Sequence, residues 1–308
     1  MKKKVLFNEL LLGIVPLIWG AAFVYQDIGN SFLSPILFSG FRCIIGSAFL
    51  FVVTIIRFII LKILKKPVKL FNKKEFIYGI ILGVVTSLAM SLQQIGIKYE
   101  GAGKSGFITA LYIVFVPIIG ILFHKKTNII VAISLMIAIT GLYFINVHDG
   151  SFSFDIGLIL LLLSAIFYAL QILLIDKFSP ECDSINLSMF QFLFATIIQI
   201  PMAFLIEDVS FEYFNEAIPS LIFCGLFSTG IAFTVQIYAQ QNVPVVLASM
   251  IMSLESVFAI IFSAIILHSR YSFIEILGCV LIFIAVLIVQ IPIKTKKEKQ
   301  ENIKNDVE

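Results

Sequence analysis

The sequence predicts an all-α membrane protein: ten transmembrane helices arranged as two inverted five-helix repeats. Three observations lead to this prediction. Of 308 residues, 60% are hydrophobic and only 13% are charged, whereas a soluble domain carries about 25% charged residues. Ten stretches are apolar over enough length to span a bilayer, which takes roughly 20 residues of helix. The second half also repeats the pattern of the first at a nearly constant offset, the mark of an internal duplication.

The ten stretches fall at about 7–26, 35–61, 76–97, 102–123, 128–147, 154–175, 186–206, 217–239, 244–267 and 272–291. The loops between them are too short for a soluble domain. The opening "MKKKVLFNELLLGIVPLIWGAAF" begins like a secretory signal, but its apolar run is long enough to span and is expected to stay as the first helix. Cys43, Cys182, Cys224 and Cys279 sit singly, with no CxxC pair to suggest a disulfide framework or zinc site.

Charge sets the orientation. Lys and Arg gather in cytoplasmic loops. With the N-terminus inside, 18 of the 22 basic residues fall on the cytoplasmic side, among them Lys2 to Lys4, Arg57, Lys62, Lys65, Lys66, Lys69, Lys73, Lys74 and the tail lysines. The opposite loops carry Asp149, Asp155, Glu207, Asp208, Glu212 and Glu216. Both termini are therefore expected in the cytoplasm, with the chain multi-pass in the cell membrane. The basic excess has an orienting role and gives no reason to invoke nucleic acid. The tail "KTKKEKQENIKNDVE" reads as a solvated cytoplasmic end.

The duplication is visible in three windows. Residues 105–123, "SGFITALYIVFVPIIGILF", lie over 248–266, "ASMIMSLESVFAIIFSAII", at an offset of 143 that sets Tyr112 against Glu255. Residues 83–94 lie over 225–236 at 142, so Gly83 meets Gly225 and Gln94 meets Gln236. "FRCIIGSA" at 41–48 lies over "FQFLFATI" at 190–197 at 149, pairing Arg42 with Gln191. An odd number of helices per half makes the second half enter from the other side, an arrangement common in secondary transporters that bind substrate near the midplane. The domains expected are residues 1–148, residues 149–292 and a tail, 293–308.

"PLIWGAAFV" in the first span, "FSGFRCIIGSAFLF" in the second, "AGKSGFITALYIVFVPIIG" through the fourth, and "SLESVFAIIFSAIIL" with "ILGCVLIFIAVLIV" in the last two resemble the ten-helix EamA type of the drug/metabolite transporter superfamily. The resemblance runs from about residue 8 to 291. It implies a carrier of small metabolites with a central cavity, often an exporter of amino acids or related compounds. Where the family often has Pro after the acid of the ninth span, this chain has Ser256.

Only Arg42 and Glu255 are charged deep within spans. An ionised group at the bilayer centre costs about 2.5–3.5 kcal/mol on insertion scales, so it faces a partner or a wet cavity. At about 1.5 Å per residue, their depths differ by less than ~8 Å. Either Glu255 lines a substrate route, binding an ammonium group or a proton, or the two charges neutralise each other and fix packing. Polar stripes at helical spacing surround them. They comprise Trp19, Phe23 and Gln26; Gln93 and Gln94; Ser105, Thr109 and Tyr112; Ser164, Tyr168 and Gln171; and Gln236 with Gln240. Of these, Trp19, Phe23, Gln94, Thr109, Tyr112, Tyr168, Gln171 and Gln236, with Glu255, are the substrate-binding candidates, and Arg42 and Glu255 the coupling or structural charges. Helix-to-helix glue is the alternative use of such amides and hydroxyls. Small residues, as in "GIILG" from Gly79 to Gly83, read as packing notches.

"EGAGKSG" evokes a nucleotide loop but has Lys98 where the motif needs a glycine, and it follows a membrane helix instead of a strand. No His, Cys or carboxylate set has metal-ligand spacing, so no metal or cofactor is expected, and nothing suggests an enzyme. The expectation is a secondary transporter for a small-molecule substrate, with proton coupling through Glu255 as an option. Multidrug efflux, nutrient uptake and a non-transporting structural subunit are the alternatives. The sequence carries no signal of oligomeric state.

Overall fold

The structure is a computed structural model that describes residues 2–67, 69–121, 129–145, 147–148, 151–152 and 155–288. The expected tail, 293–308, and the ends of the fourth, fifth and tenth stretches lie outside these residues. The first helices are α1 (Lys2–Leu12), α2 (Ile14–Asn30), α3 (Pro35–Ile63), α4 (Lys73–Thr109), α5 (Tyr112–Gly120) and α6 (Ile129–Ile145). A two-residue ladder follows, β1 (Val147–His148) antiparallel to β2 (Ser151–Phe152). Then come α7 (Ile156–Phe178), α8 (Ser184–Ile206), α9 (Phe214–Ile222), a π-helical segment (Phe223–Ala232), α10 (Phe233–Gln240), α11 (Val245–Met252), α12 (Glu255–Ile266) and α13 (Phe273–Ile288). Apart from the ladder, the described regular structure is helical.

Seven helices among the described residues are long and apolar enough to cross a membrane: Leu6–Asn30, Pro35–Ile63, Lys73–Thr109, Ile156–Glu181, Ser184–Ile206, Phe214–Gln240 and Val245–Ile266. Their outward faces remain apolar. On α3, for example, Phe51, Val52, Ile56, Ile59 and Ile60 are exposed. Helices satisfy their own backbone polar groups, so they can present such an apolar surface to lipid. The chain is a multi-pass membrane protein.

The longest helix, α4, folds back on itself. Gly101 has φ 73° and ψ 170°, a conformation glycine adopts without steric cost. The Gln93 amide donates to the Thr109 hydroxyl at 3.4 Å. In a straight helix, sixteen residues would separate them by about 24 Å, so the chain reverses at Gly101. Asp27 of α2 secures the restart by accepting from the Ala102 N–H at 3.1 Å. The helix thus supplies the third expected stretch and the start of the fourth, which α5 continues. Side chains cap four of the helix starts. Asn72 and Glu75 form a capping box on α4, Asp155 accepts from Leu158 N–H, and Asp183 accepts from Ile185 and Asn186 N–H. At α3 the cap comes from the other half of the chain. Glu207 accepts from the Ile36 and Leu37 N–H groups at 2.9 and 3.1 Å.

Packing crosses between halves throughout. The helix pairs in contact include α2 with the π segment and with α12, α7 with α4 and with α5, α3 with α8, and α6 with α13. Glycines set the closest approaches. A Cβ on Gly83 would lie 2.6 Å from the Phe194 Cβ and 2.9 Å from the Gln191 carbonyl. One on Gly225 would lie 2.6 Å from the Ile45 Cβ and 3.2 Å from the Arg42 carbonyl. Exchanging the halves at the offsets read from the sequence turns one contact into the other. The notch at Gly79 receives Phe190, so "GIILG" serves packing.

Candidate functional site

Two helices break at matching places. α4 gives way to α5 at Ala110 and Leu111, and α11 to α12 at Ser253 and Leu254. The 143-residue offset carries the first break onto the second. Tyr112 opens α5 and Glu255 opens α12. The second break forms with Ser256, not a proline, following Glu255.

Both residues face one cavity. Trp19, Ala22, Phe23 and Gln26 from α2, Arg42 from α3, Gln93 and Thr109 from α4, and Tyr112 from α5 line it. From the second half come Tyr168, Gln171 and Ile172 of α7, Ser228 of the π segment, Phe233 and Gln236 of α10, and Glu255. The cavity has a volume of about 30 Å³, room for about one or two water molecules with its walls as they stand. One wall is aromatic, with the Trp19 and Phe233 rings 4.7 Å apart.

The polar groups form short relays. The Tyr168 hydroxyl donates to Gln93 Oε1 at 3.1 Å, and Gln93 passes a bond on to Thr109. Gln236 donates to Gln171 Oε1 at 3.4 Å. Arg42, 1% exposed, donates through Nη1 to Gln26 Oε1, while Gln26 is tied by its own amide to the Ala22 carbonyl at 3.1 Å. Glu255 is 4% exposed, with the Tyr112 hydroxyl beside its carboxyl. Among the described residues, ion pairs join Arg57 to Asp183 (2.6 Å), Lys74 to Glu181 (2.7 Å) and Lys104 to Glu275 (2.8 Å). Arg42 and Glu255 face the same space without pairing.

Of the residues singled out from the sequence, the structure brings Trp19, Phe23, Arg42, Thr109, Tyr112, Tyr168, Gln171, Gln236 and Glu255 together. It leaves Gln94 out. That side chain bonds the Gln26 carbonyl at 3.1 Å and Asn30 Oδ1 at 2.9 Å, bracing α2 while its neighbour Gln93 turns to the cavity. Ser164 likewise serves packing, donating to the Ala89 carbonyl at 2.9 Å. Ser228, Phe233, Ala22 and Ile172 were not signalled. Ser228 lies in a π-helical turn, where a 3.6-residue period misplaces faces. The other three are apolar or small and resemble any core residue.

The chain is similar throughout to known transporters. The sequence profile of the EamA-like transporter family matches residues 6–147 and again 155–291. An uncharacterized transporter of Archaeoglobus fulgidus is 30% identical over 289 residues, covering 94% of this chain and 87% of that protein. The uncharacterized transporter YoaV of Bacillus subtilis is 27% identical over 285 residues, covering 89% and 94%. A protein of known crystal structure shares the fold with a TM-score of 0.64 at 14% identity, over 92% of this chain and 96% of its own. With its family profile matched in both halves and its apolar helices closed around a polar cavity, the chain belongs to the EamA-like transporter family.

Proposed function

We propose that the protein is a ten-span secondary transporter, built from two inverted five-helix repeats, that moves small metabolites by alternating access and exports amino acids or related compounds. The observation that carries this reading is the central cavity itself. Helices of both halves wall it, and Arg42 and Glu255 are the charged residues that line it.

The repeat reading draws on the reversal at Gly101, the paired breaks before Tyr112 and Glu255, and the exchanged glycine contacts. It also draws on a family profile that fits each half separately. With α4 counted as two arms about Gly101, the shorter apolar helices α6 and α13 would complete the ten spans, and the basic loops support cytoplasmic termini. Two gates of similar build then face opposite sides, the feature alternating access requires. Glu255 is the one carboxylate among the lining residues and serves as the proton or ammonium site.

The test is flux from vesicles. Purified protein in proteoliposomes loaded with a metabolite mixture, at two pH gradients, releases a subset of compounds, and a correctly folded Glu255→Gln variant releases at least tenfold less. Wild-type flux from that variant removes the role given to Glu255. No release of any compound removes the transport reading.

A further inference from the structure

A cleft of about 270 Å³ opens at the end of the molecule that carries the basic loops, against about 30 Å³ for the central cavity. Its walls include Arg57 of α3, Asp183, Ser184 and Ile185 at the start of α8, and Tyr238 with Gln241 at the end of α10. The two halves of the chain meet there, and none of these residues has a part in the transport reading.

The donors in the cleft are arranged for an anion. Asp183 spends Oδ1 on the Ile185 and Asn186 N–H groups and Oδ2 on Arg57 Nη1 at 2.6 Å, so its carboxylate is already committed. Among the described residues, the Nε–Nη2 edge of Arg57 makes no hydrogen bond beyond that pairing, and this edge of a guanidinium forks around two oxygens of a phosphate. Gln241 Nε2 donates to the Ser179 and Cys182 carbonyls at 2.8 and 3.1 Å and to Ser184 Oγ at 3.1 Å. Ser184 accepts in that bond, which leaves its own proton for the cleft. Tyr238 adds a second hydroxyl.

Position identifies the kind of anion. Arg57 stands six residues before the end of α3, about 9 Å by helical rise. Ile56, Ile59 and Ile60 are exposed beside it, and Tyr238 is 43% exposed. A guanidinium and a phenol flanked by lipid-facing apolar side chains belong to the headgroup layer, where basic side chains snorkel and tyrosines gather. A soluble phosphate would leave that apolar flank unused, whereas acyl chains would cover it. Lys62, Lys65, Lys66 and Lys69 follow before α4 begins, with no acid among residues 58–72. Basic pockets between spans hold anionic headgroups. We propose that this cleft binds one anionic glycerophospholipid from the leaflet beside the basic loops. Its phosphate sits on the free edge of Arg57 and the hydroxyls of Ser184 and Tyr238, and its acyl chains lie along the apolar face of α3.

The experiment is native mass spectrometry of delipidated protein in detergent. It is titrated with phosphatidylglycerol, with phosphatidylcholine of the same acyl chains, and with phosphatidylglycerol in the presence of excess glycerol 3-phosphate. The wild-type protein retains one phosphatidylglycerol at least tenfold more tightly than phosphatidylcholine, and glycerol 3-phosphate does not displace it. Arg57→Gln brings the preference within threefold. Replacing Lys62, Lys65 and Lys66 together by Gln keeps at least half of it, which separates a built site from diffuse attraction.

Equal retention of the two lipids by the wild-type protein overturns the proposal, as does an unchanged preference in folded Arg57→Gln. Displacement by glycerol 3-phosphate also overturns it, in favour of a soluble phosphate ligand. Should Arg57→Gln misfold, Ser184→Ala combined with Tyr238→Phe decides, since it leaves the ion pair to Asp183 intact. That variant loses at least threefold of the preference, and a full preference there overturns the site. Lipid retention is read without flux, so neither result bears on the transport reading.

Discussion

The two helix breaks have the same geometry and different chemistry. Before Tyr112 the chain interrupts a helix and places a phenol in the cavity; before Glu255, 143 residues on, it does the same and places a carboxyl. Both side chains are nearly inaccessible, at 3% and 4% exposure. Duplicated scaffolding supplies two equivalent positions at the centre, and the sequence then makes them unequal. A phenol remains neutral and amphipathic in an apolar setting. A carboxyl there changes charge with what is bound beside it. In the transport cycle proposed above, the matching breaks would serve the gates and the unequal side chains would set the cavity's chemistry.

The largest expected effect removes that asymmetry. Glu255→Gln lowers metabolite flux at least tenfold, while Tyr112→Phe, which keeps the ring and loses the hydroxyl, lowers it only severalfold in the same vesicles. Equal losses would make the two positions equivalent in function as well as in place. The pairing of charges can be separated from this. Because Arg42 and Glu255 do not pair, Arg42→Gln with Glu255→Gln should be no more stable than the less stable single variant, by thermal unfolding in detergent. Recovery in the double variant would reveal a mutual lock.

Next come the exchanged glycine contacts. Gly83→Leu and Gly225→Leu each force a side chain onto a neighbouring helix, and overpacking of this kind costs about 1–3 kcal/mol. Both should lower the unfolding midpoint by similar amounts, and a large difference would argue against equivalent interfaces. The smallest effect is at a helix start. Asp155→Ala removes the cap of α7 and costs about 0.5–1 kcal/mol. The neighbouring Glu100 and then the Leu158 N–H hold the Asp155 carboxyl below the usual carboxylate range against the opposing pull of burial. A carboxyl lowered on folding stabilises above its unfolded pKa and loses that contribution as pH falls through the folded value. The cap therefore contributes fully at neutral pH, and the variant and wild type should converge in stability only under strongly acidic conditions.

Much of this was legible in the sequence because membranes enforce simple rules. Apolar length predicted the seven long spans, and the repeat offsets paired Tyr112 with Glu255 and Gly83 with Gly225, but they announced neither the helix breaks nor the contacts these glycines make. The turn between the third and fourth stretches falls in the four residues that separate them, "KYEG". What remained hidden depends on azimuth and lateral position. Gln93 and Gln94 are both polar and sit about 100° apart on the helix, so composition could not say which one enters the cavity. Gln236, the sequence mate of Gln94, lines it, whereas Gln94 braces α2. The depths of Arg42 and Glu255 followed from counting residues. Their sideways separation, which decides between a lock and a binding site, did not.

The reversal at Gly101 has a mechanical consequence. A single glycine joins the two arms of α4, leaving almost no slack at the elbow, and Asp27 clamps the residue beyond it. In the transport cycle proposed above, tilt in one arm would therefore be passed to the other, and bending would fall to the joint at Ala110 and Leu111. Lengthening the elbow by a few flexible residues would uncouple the arms, letting one face open without obliging the opposite face to shut.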